Sequence, residues 1–444
     1  VLLAGCVTTW RPPPAPPEPL PRALPGQPPV ILIHGAFGSR LADAQSGREM
    51  WPGGFIKLLF SDYPELALDI DRHTLQPVPD ELVPTRLFDR AGEQDFYGRI
   101  LATLERAGYR RGQPGERVTD GLPRYYTLIY DWRYDNLVAV RALDALISQI
   151  RADHGRRDLA VDLVGHSNGG LIARWYARYG TADAAEAPPP LSHPGSANLR
   201  RVVLLGVPNL GTLKALVALQ RGEEIGLASV PPEVVATFPS IYALLPPAGA
   251  DWVLDADGRR LDLDAHDPGL WRRLGIGVFD PTIARRVRRL GGDGAAGDAL
   301  VALLQRYVER QLERGGRVAR ALADPAQDDG IEPVVFGGDC WPTRARAMVR
   351  TLRGRERLVL DARELRGLRE AASLTALMRS PGDGTVTRAS ALGRCEPGAD
   401  GATPPPPCIE PRDVRFLCTP HNQLTADPRF HQNLLQALIG TGGG

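Results

Sequence analysis

Lysine is nearly absent from this chain. It occurs at Lys57 and Lys214 alone, although Lys and Arg together number 53 against 52 Asp and Glu, a formal net charge of +1. That balance removes the electrostatic ground for nucleic-acid binding, which needs clustered excess base. The arginine bias, with 48 Gly and 41 Pro, reads as genome composition and not as a phosphate-binding patch. Long apolar runs are also missing: no stretch reaches 18 residues, so no internal transmembrane helix is expected. No repeat shows at solenoid or propeller period. Cysteine is sparse, with five residues and no pair or His/Cys cluster at zinc spacing. Neither a metal nor an organic cofactor is expected. Aromatics are only 6%, but 43% of the residues are apolar, enough for a sizeable core and too many for a wholly disordered chain.

What is present begins with Val1-Leu2-Leu3-Ala4-Gly5-Cys6, an apolar stub in which Leu3 to Cys6 resembles a bacterial lipoprotein processing box. The resemblance implies cleavage before Cys6 and a lipid on its sulfur, so that the protein is anchored and not spanning. Val7, where Asp tends to retain such proteins in the inner membrane, points to the outer one, facing the periplasm or the cell surface. The Pro-rich segment from Trp10 to Pro29 favours polyproline II, a semi-rigid spacer. Residues 1–29 are therefore taken as anchor remnant and linker.

Beyond it, strands and helices alternate. Strands are expected at Pro29–Ile33, Tyr125–Tyr130, Leu159–Val164 and Arg201–Leu205. Helices are expected at Asp95–Tyr109, Leu137–His154 and Leu171–Tyr179. The rhythm resumes with strands Val334–Phe336 and Val414–Leu417 and a closing helix Gln432–Ile439. This is the pattern of an α/β fold, a mostly parallel sheet flanked by helices. Thr212 to Gly330 breaks it, helical and without good strands. The division is thus core 30–211, helical cap 212–330 over the strand ends, and core again 331–444. In an exported chain the four remaining cysteines suggest two disulfides. Cys340–Cys418 would close two strand ends expected side by side, and Cys395–Cys408 would staple the loop around Pro404–Pro407.

Gly165-His166-Ser167-Asn168-Gly169 lies between an expected strand and an expected helix, the context of a nucleophile elbow. A serine hydroxyl attacks only when a base removes its proton and an acid orients that base. In hydrolases of this fold the order is Ser, acid, His, each in a loop after a strand. Of eight histidines, His34, His73 and His154 precede Ser167, His193 precedes the next strand, and His266 falls in the cap. His421, just past a strand, is the expected base. His431 opens the closing helix and reads as a packing or surface residue, and His166 as structural, its side chain turned away from Ser167. Asp383, in a Gly-flanked loop between the last strands, is favoured as the acid, with Asp339 as the rival. The oxyanion hole needs two backbone N–H groups: Asn168 after the nucleophile, and Ala36 or alternatively Phe37 in the loop after the first strand.

With these residues placed, the chain resembles the lecithin:cholesterol acyltransferase-like branch of the α/β-hydrolases. Seven stretches in one order carry the likeness: Pro29 to Leu41, Tyr130 to Arg133, Gly165 to Gly170, Gly206 to Thr212, Phe238 to Pro246, Gly382 to Val386, and His421. The resemblance carries the family's triad to Ser167, Asp383 and His421 and its first-loop oxyanion residue to Ala36. It implies an esterase that hydrolyses or transfers acyl groups of lipid esters, as a lipase, phospholipase or acyltransferase. His34 stands where the family usually has Pro; His-Gly is the commoner lipase form, which favours lipid hydrolysis over acyl transfer. Trp51 to Phe55 and Phe238 to Leu245 are candidate groove or lid segments. The rival readings are a carboxylesterase for soluble esters and a non-catalytic envelope lipoprotein on the same fold.

Overall fold

The computed structural model describes residues 20–440, apart from 55–56, 59–60, 92–93, 184–192, 226–227, 293, 326–328, 353, 366–369 and 395–406. Cys6, the first half of the Pro-rich linker, Phe55 and Cys395 lie outside the described residues. In chain order the scaffold is β1 (Val30–Ile33), α1 (Gly98–Arg106), β2 (Arg110–Arg111), β3 (Arg124–Leu128), α2 (Asn136–Asp153), β4 (Val161–His166), α3 (Asn168–Tyr179) and β5 (Leu199–Leu205). It continues with α4 (Leu213–Arg221), α5 (Ala295–Ala323), β6 (Val334–Gly338), β7 (Asp413–Leu417) and α6 (Pro428–Ile439). Seven strands form one sheet in the order β7-β6-β5-β4-β1-β3-β2, with every pairing parallel.

Both faces of this sheet are covered, which is why its strands read as continuous apolar runs. Side chains alternate across it. Ile31, Ile33, Leu163 and Leu204 face α2 and α3, packing with Leu143, Ile147 and Ile172. Val30, Leu32, Val203 and Leu205 face the other way, against Ile100, Leu104, Phe430 and Leu434 of α1 and α6. Helix α6 starts before the expected Gln432, because Pro428 occupies its first turn and the Asp427 carboxylate accepts the Arg429 N–H at 2.8 Å. His431 is consequently an interior helical residue, its Nε2–H donating to Thr425 O at 2.7 Å.

The span 212–330 is mainly helical, yet it also holds an antiparallel hairpin, Glu223–Ile225 with Ala228–Val230. A further two residues, Val253–Leu254, pair with Ala347–Leu352. Its Trp271, Tyr307 and Leu312 belong to the same buried cluster as Ile31 and Leu204, so this span is welded to one face of the sheet. Other short antiparallel pieces were not expected, including Ala347–Leu352 with Arg355–Val359 and Arg90–Ala91 with Gln94–Asp95. Ser39–Asp43 pairs with Glu49–Trp51 and Leu82–Leu87, and Trp341–Arg344 pairs with Arg379–Gly382.

β6 and β7 lie side by side with Gly338 opposite Leu417, and Cys340 and Cys418 just beyond them are disulfide-bonded. The second expected bridge is corrected. Cys408 is a free, buried thiol with its sulfur 3.9 Å from Asn209 O, and Cys395 lies outside the described residues. Arg174 and Arg178 both donate to the Cys408 carbonyl, at 3.1 and 3.3 Å, which holds this residue against α3 with its thiol turned inward.

Candidate functional site

The chain leaves β4 through a turn so tight that only glycine fits around it. A Cβ on Gly165 would lie 2.6 Å from Gly170 Cα, and one on Gly169 would lie 2.3 Å from Ile33 O. On Gly170 it would meet Val207 Cγ2 at 2.0 Å. Ser167, at the apex, takes φ 53° and ψ −125°, a conformation that costs a non-glycine residue about 1–3 kcal/mol. Its N–H donates to Leu205 O at 2.9 Å, which fastens the turn to the neighbouring strand end. Helix α3 begins directly at Asn168, three residues earlier than the spacing suggested.

Asp383 and His421 arrive from loops near the ends of β6 and β7. His421 Nδ1–H donates to Asp383 Oδ2 at 2.8 Å, and its backbone N–H donates to Asp383 O at 2.9 Å. The other carboxylate oxygen, Oδ1, accepts the N–H groups of Thr385 and Val386 at 2.9 and 2.7 Å. Asp383 is 1% exposed, so its charge is held by a filled set of donors and not by water. Asp339 has no part in this arrangement. Gly206 makes room for the pair: a Cβ there would lie 3.1 Å from His421 Nδ1 and 3.2 Å from Asp383 Oδ2. Ser167, Asp383, His421 and Ala36 all line one cavity of about 540 Å³ at the C-terminal ends of the strands.

A family model of lecithin:cholesterol acyltransferase matches residues 82–258. That match spans less than half of the chain and is a likeness over those residues; the fold is that of an α/β-hydrolase. The matched span contains Ser167 and Asn168 and stops before Asp383 and His421. Among solved structures, the chain is similar to one described as the Tle4-Tli4 complex, at 15% identity and a TM-score of 0.56, covering 94% of this chain and 98% of that one. The mature form of Bacillus licheniformis lipase BlEst2 aligns at 13% identity and a TM-score of 0.34, over 95% of this chain and 96% of that one. No curated protein matches.

The first-strand loop is clamped by Tyr130 and Trp132, from a stretch that the sequence marked by resemblance without a role. Gly38 N–H donates to Gly35 O at 3.2 Å, which makes Ala36 and Phe37 the middle of a turn, with Phe37 at φ 60°. The Phe37 ring packs on Trp132, centroids 4.2 Å apart, and Trp132 Nε1–H donates to Ser39 O at 3.1 Å. Tyr130 supports the loop from below: its hydroxyl donates to His34 O at 2.8 Å and its ring stacks on the His34 ring at 4.1 Å. Burial holds His34 neutral, lowering its pKa to about 4. Asn168 is fully buried. Its side-chain amide exchanges two 2.8 Å hydrogen bonds with Asn136, which fixes the first residue of α3 beside Ser167. The tetrapeptide Tyr130-Asp131-Trp132-Arg133 is thus a buttress, with buried Arg133 forked onto Asp80 at 2.6 and 2.9 Å.

His166 differs from expectation. It does not turn away from the site but lines the cavity, its ring 5.0 Å from that of His421. Burial first, then the neighbouring His421, hold it neutral with a pKa well below the usual imidazole range. A neutral ring has one donor and one acceptor, so its bonds have a direction. Gly35 N–H donates to Tyr97 Oη at 2.9 Å, Tyr97 O–H donates to His166 Nδ1 at 2.8 Å, and His166 Nε2–H donates to His421 O at 3.3 Å. This relay joins the first loop, the start of α1, the elbow and the His421 loop.

Proposed function

We propose that the protein is a serine esterase that hydrolyses or transfers acyl groups of lipid esters through an acyl-enzyme. One observation carries the reading: an Asp383–His421 pair at 2.8 Å opens on the same cavity as a serine on a strained, glycine-walled turn. Asp383 accepts the Nδ1–H hydrogen bond and so keeps that proton on Nδ1, which leaves Nε2 of His421 as the nitrogen offered to Ser167. In the proposed cycle Ser167 Oγ attacks the ester carbonyl while His421 Nε2 accepts its proton. The Ala36 and Asn168 N–H groups receive the oxyanion, with Phe37 N–H as the alternative first-loop donor. Collapse expels the alcohol, which takes the proton back from His421. Water or a second alcohol then releases the acyl group by the same steps in reverse.

Lipid esters fit the cavity better than small soluble ones. Phe37, Trp51, Phe88, Phe96, Ile241 and Leu244 give it an apolar wall, and Lys214, Glu223 and Glu224 a polar side. Residues 212–330 supply Lys214, Ala215, Ile241 and Leu244 to that lining, the part a cap over the strand ends would play. An exported chain held to the outer membrane through Cys6 is the setting we propose for it.

Ser167→Ala should abolish labelling by a fluorophosphonate probe and lower p-nitrophenyl ester turnover by at least about a thousandfold. Undiminished labelling of the mutant would overturn the assignment. Turnover on phospholipid vesicles against monomeric short-chain esters then separates a lipid enzyme from a soluble-ester esterase, because the former gains on aggregated substrate.

A further inference from the structure

At the opposite end of the sheet, where β5, β6 and β7 begin, a second cavity of about 280 Å³ gathers four arginines, Arg200, Arg201, Arg412 and Arg415. They come from two strand starts more than 200 positions apart in the chain, so no local run of base announces them. Two are neutralised. Arg200 is paired with buried Asp162 and also donates to Leu438 O at 2.7 Å, and Arg415 is paired with Asp413 at 2.7 Å. Arg201 and Arg412 have no ion pair among the described residues; exposed Glu332 is the remaining acid in the lining. Burial first, then Arg200 and Arg412 as neighbours, pull the Arg201 guanidinium below the ordinary arginine range, although Asp162 attracts it in the opposite sense. Like charges crowded into a half-buried cleft are a standing electrostatic cost that a bound anion would relieve.

We propose that this cleft binds a phosphate-type oxyanion, with Arg201 and Arg412 as its principal ligands and Arg200 and Arg415 as the surrounding field. Planar guanidinium groups offer paired N–H donors at the spacing of two phosphate oxygens. The anion's source is either a lipid headgroup or free phosphate. The cleft also adjoins the segment that follows the Pro-rich stretch: Gln27 Nε2–H donates at 2.6 Å to Leu438 O, the carbonyl that Arg200 uses. From Arg201 to the catalytic end of β5 is roughly 15 Å at about 3.3 Å per residue. Occupation of the cleft is therefore independent of the esterase reading and should not inhibit ester turnover.

The test uses the full chain with Cys6→Ser, so that no acyl anchor contributes, alongside Arg201→Gln/Arg412→Gln and the single exposed variant Arg412→Gln. Thermal stability is followed in inorganic phosphate against chloride at equal ionic strength, and co-sedimentation with phosphatidylcholine vesicles with and without phosphatidylglycerol. The expected result is a phosphate-dependent rise in Tm, binding confined to the anionic vesicles, or both. Each effect should weaken about fivefold per arginine removed, while p-nitrophenyl acetate turnover is retained. A response to phosphate alone assigns a free oxyanion, and a response to vesicles alone assigns a headgroup. Wild-type protein that responds to neither, or Arg412→Gln that responds as wild type does, overturns the proposal. If the double variant fails to fold, the single variant decides.

Discussion

Ser167 and the Asp383–His421 pair are built by opposite strategies. Ser167 sits in a turn written within six consecutive residues: Gly165, Gly169 and Gly170 are there because a methyl group at any of them would drive into backbone or into Val207. Asp383 and His421 have no such local code. They meet through a carboxylate that gathers two amide donors and an imidazole, and through a glycine, Gly206, on a third loop. The elbow is rigid by exclusion, the pair by hydrogen bonding. Substitutions that spare packing should therefore cripple the second and leave the first intact.

Asp383→Asn breaks the comparison hardest. An Asn can keep its Oδ1 on the Thr385 and Val386 amides, but then its Nδ2–H₂ faces His421 and donates. His421 Nδ1 must accept, so the ring proton moves to Nε2, toward Ser167, where it blocks base catalysis. We expect kcat/KM on p-nitrophenyl butyrate to fall about 10³–10⁴-fold, with circular dichroism and Tm close to wild type. A loss smaller than tenfold would mean that Asp383 is a loop staple and that the acid lies elsewhere.

Acid stability separates the two halves next. The elbow side carries His34, buried and neutral at a pKa of about 4 with no carboxylate on its ring, whereas the His421 ring is hydrogen-bonded to Asp383. Unfolding lets His34 return to about 6.5, so below that pH the unfolded chain binds a proton the folded chain refuses. Stability is full above about pH 6.5 and declines as the pH falls toward 4, by about 3 kcal/mol from this residue. Denaturant titrations at pH 7 and pH 4 should show the loss, and His34→Gln should remove this residue's share of it while buried His166 still contributes in the same direction. An unchanged slope in that variant would assign the acid sensitivity to other groups.

What could be read in advance follows the same division. Ser167 and the parallel strands were legible because their constraints are local: glycines flank a turn, and a strand buried on both faces is apolar throughout. The order of residues in such hydrolases singled out Asp383 and His421, but nothing in sequence could show that Asp383 also grips two amides. The roles of Tyr97, Tyr130, Asn136 and Gly206 could not be read, although Tyr130 and Gly206 lie in stretches that carry the resemblance, because each works on a partner distant in the chain and a tyrosine hydroxyl aimed at a backbone group has no local signature. The short antiparallel pieces escaped for another reason. Leu82–Leu87 carries Pro84 and is mostly half-exposed, so it shows neither the alternation nor the apolar run by which strands are recognised. Cys408 misled because an even count of cysteines says nothing about which way a thiol faces.

Tyr97→Phe probes the joint between the halves and should have the smallest effect. The phenol bridges Gly35 N–H and His166 Nδ1, and His166 in turn holds the His421 carbonyl. Removing one oxygen leaves a buried donor and a buried acceptor unpaired, about 1–3 kcal/mol of stability. A purely structural role would stop there, with Tm lowered and kinetics unchanged in the folded enzyme. If the relay positions His421, kcat and the fluorophosphonate labelling rate should fall together by about tenfold while KM holds, because the acyl-chain wall is untouched. His166→Gln, whose amide can still donate toward His421 O, should recover part of that rate where His166→Ala does not. Equal rates in those two variants would reduce the relay to packing and leave the two halves joined by the sheet alone.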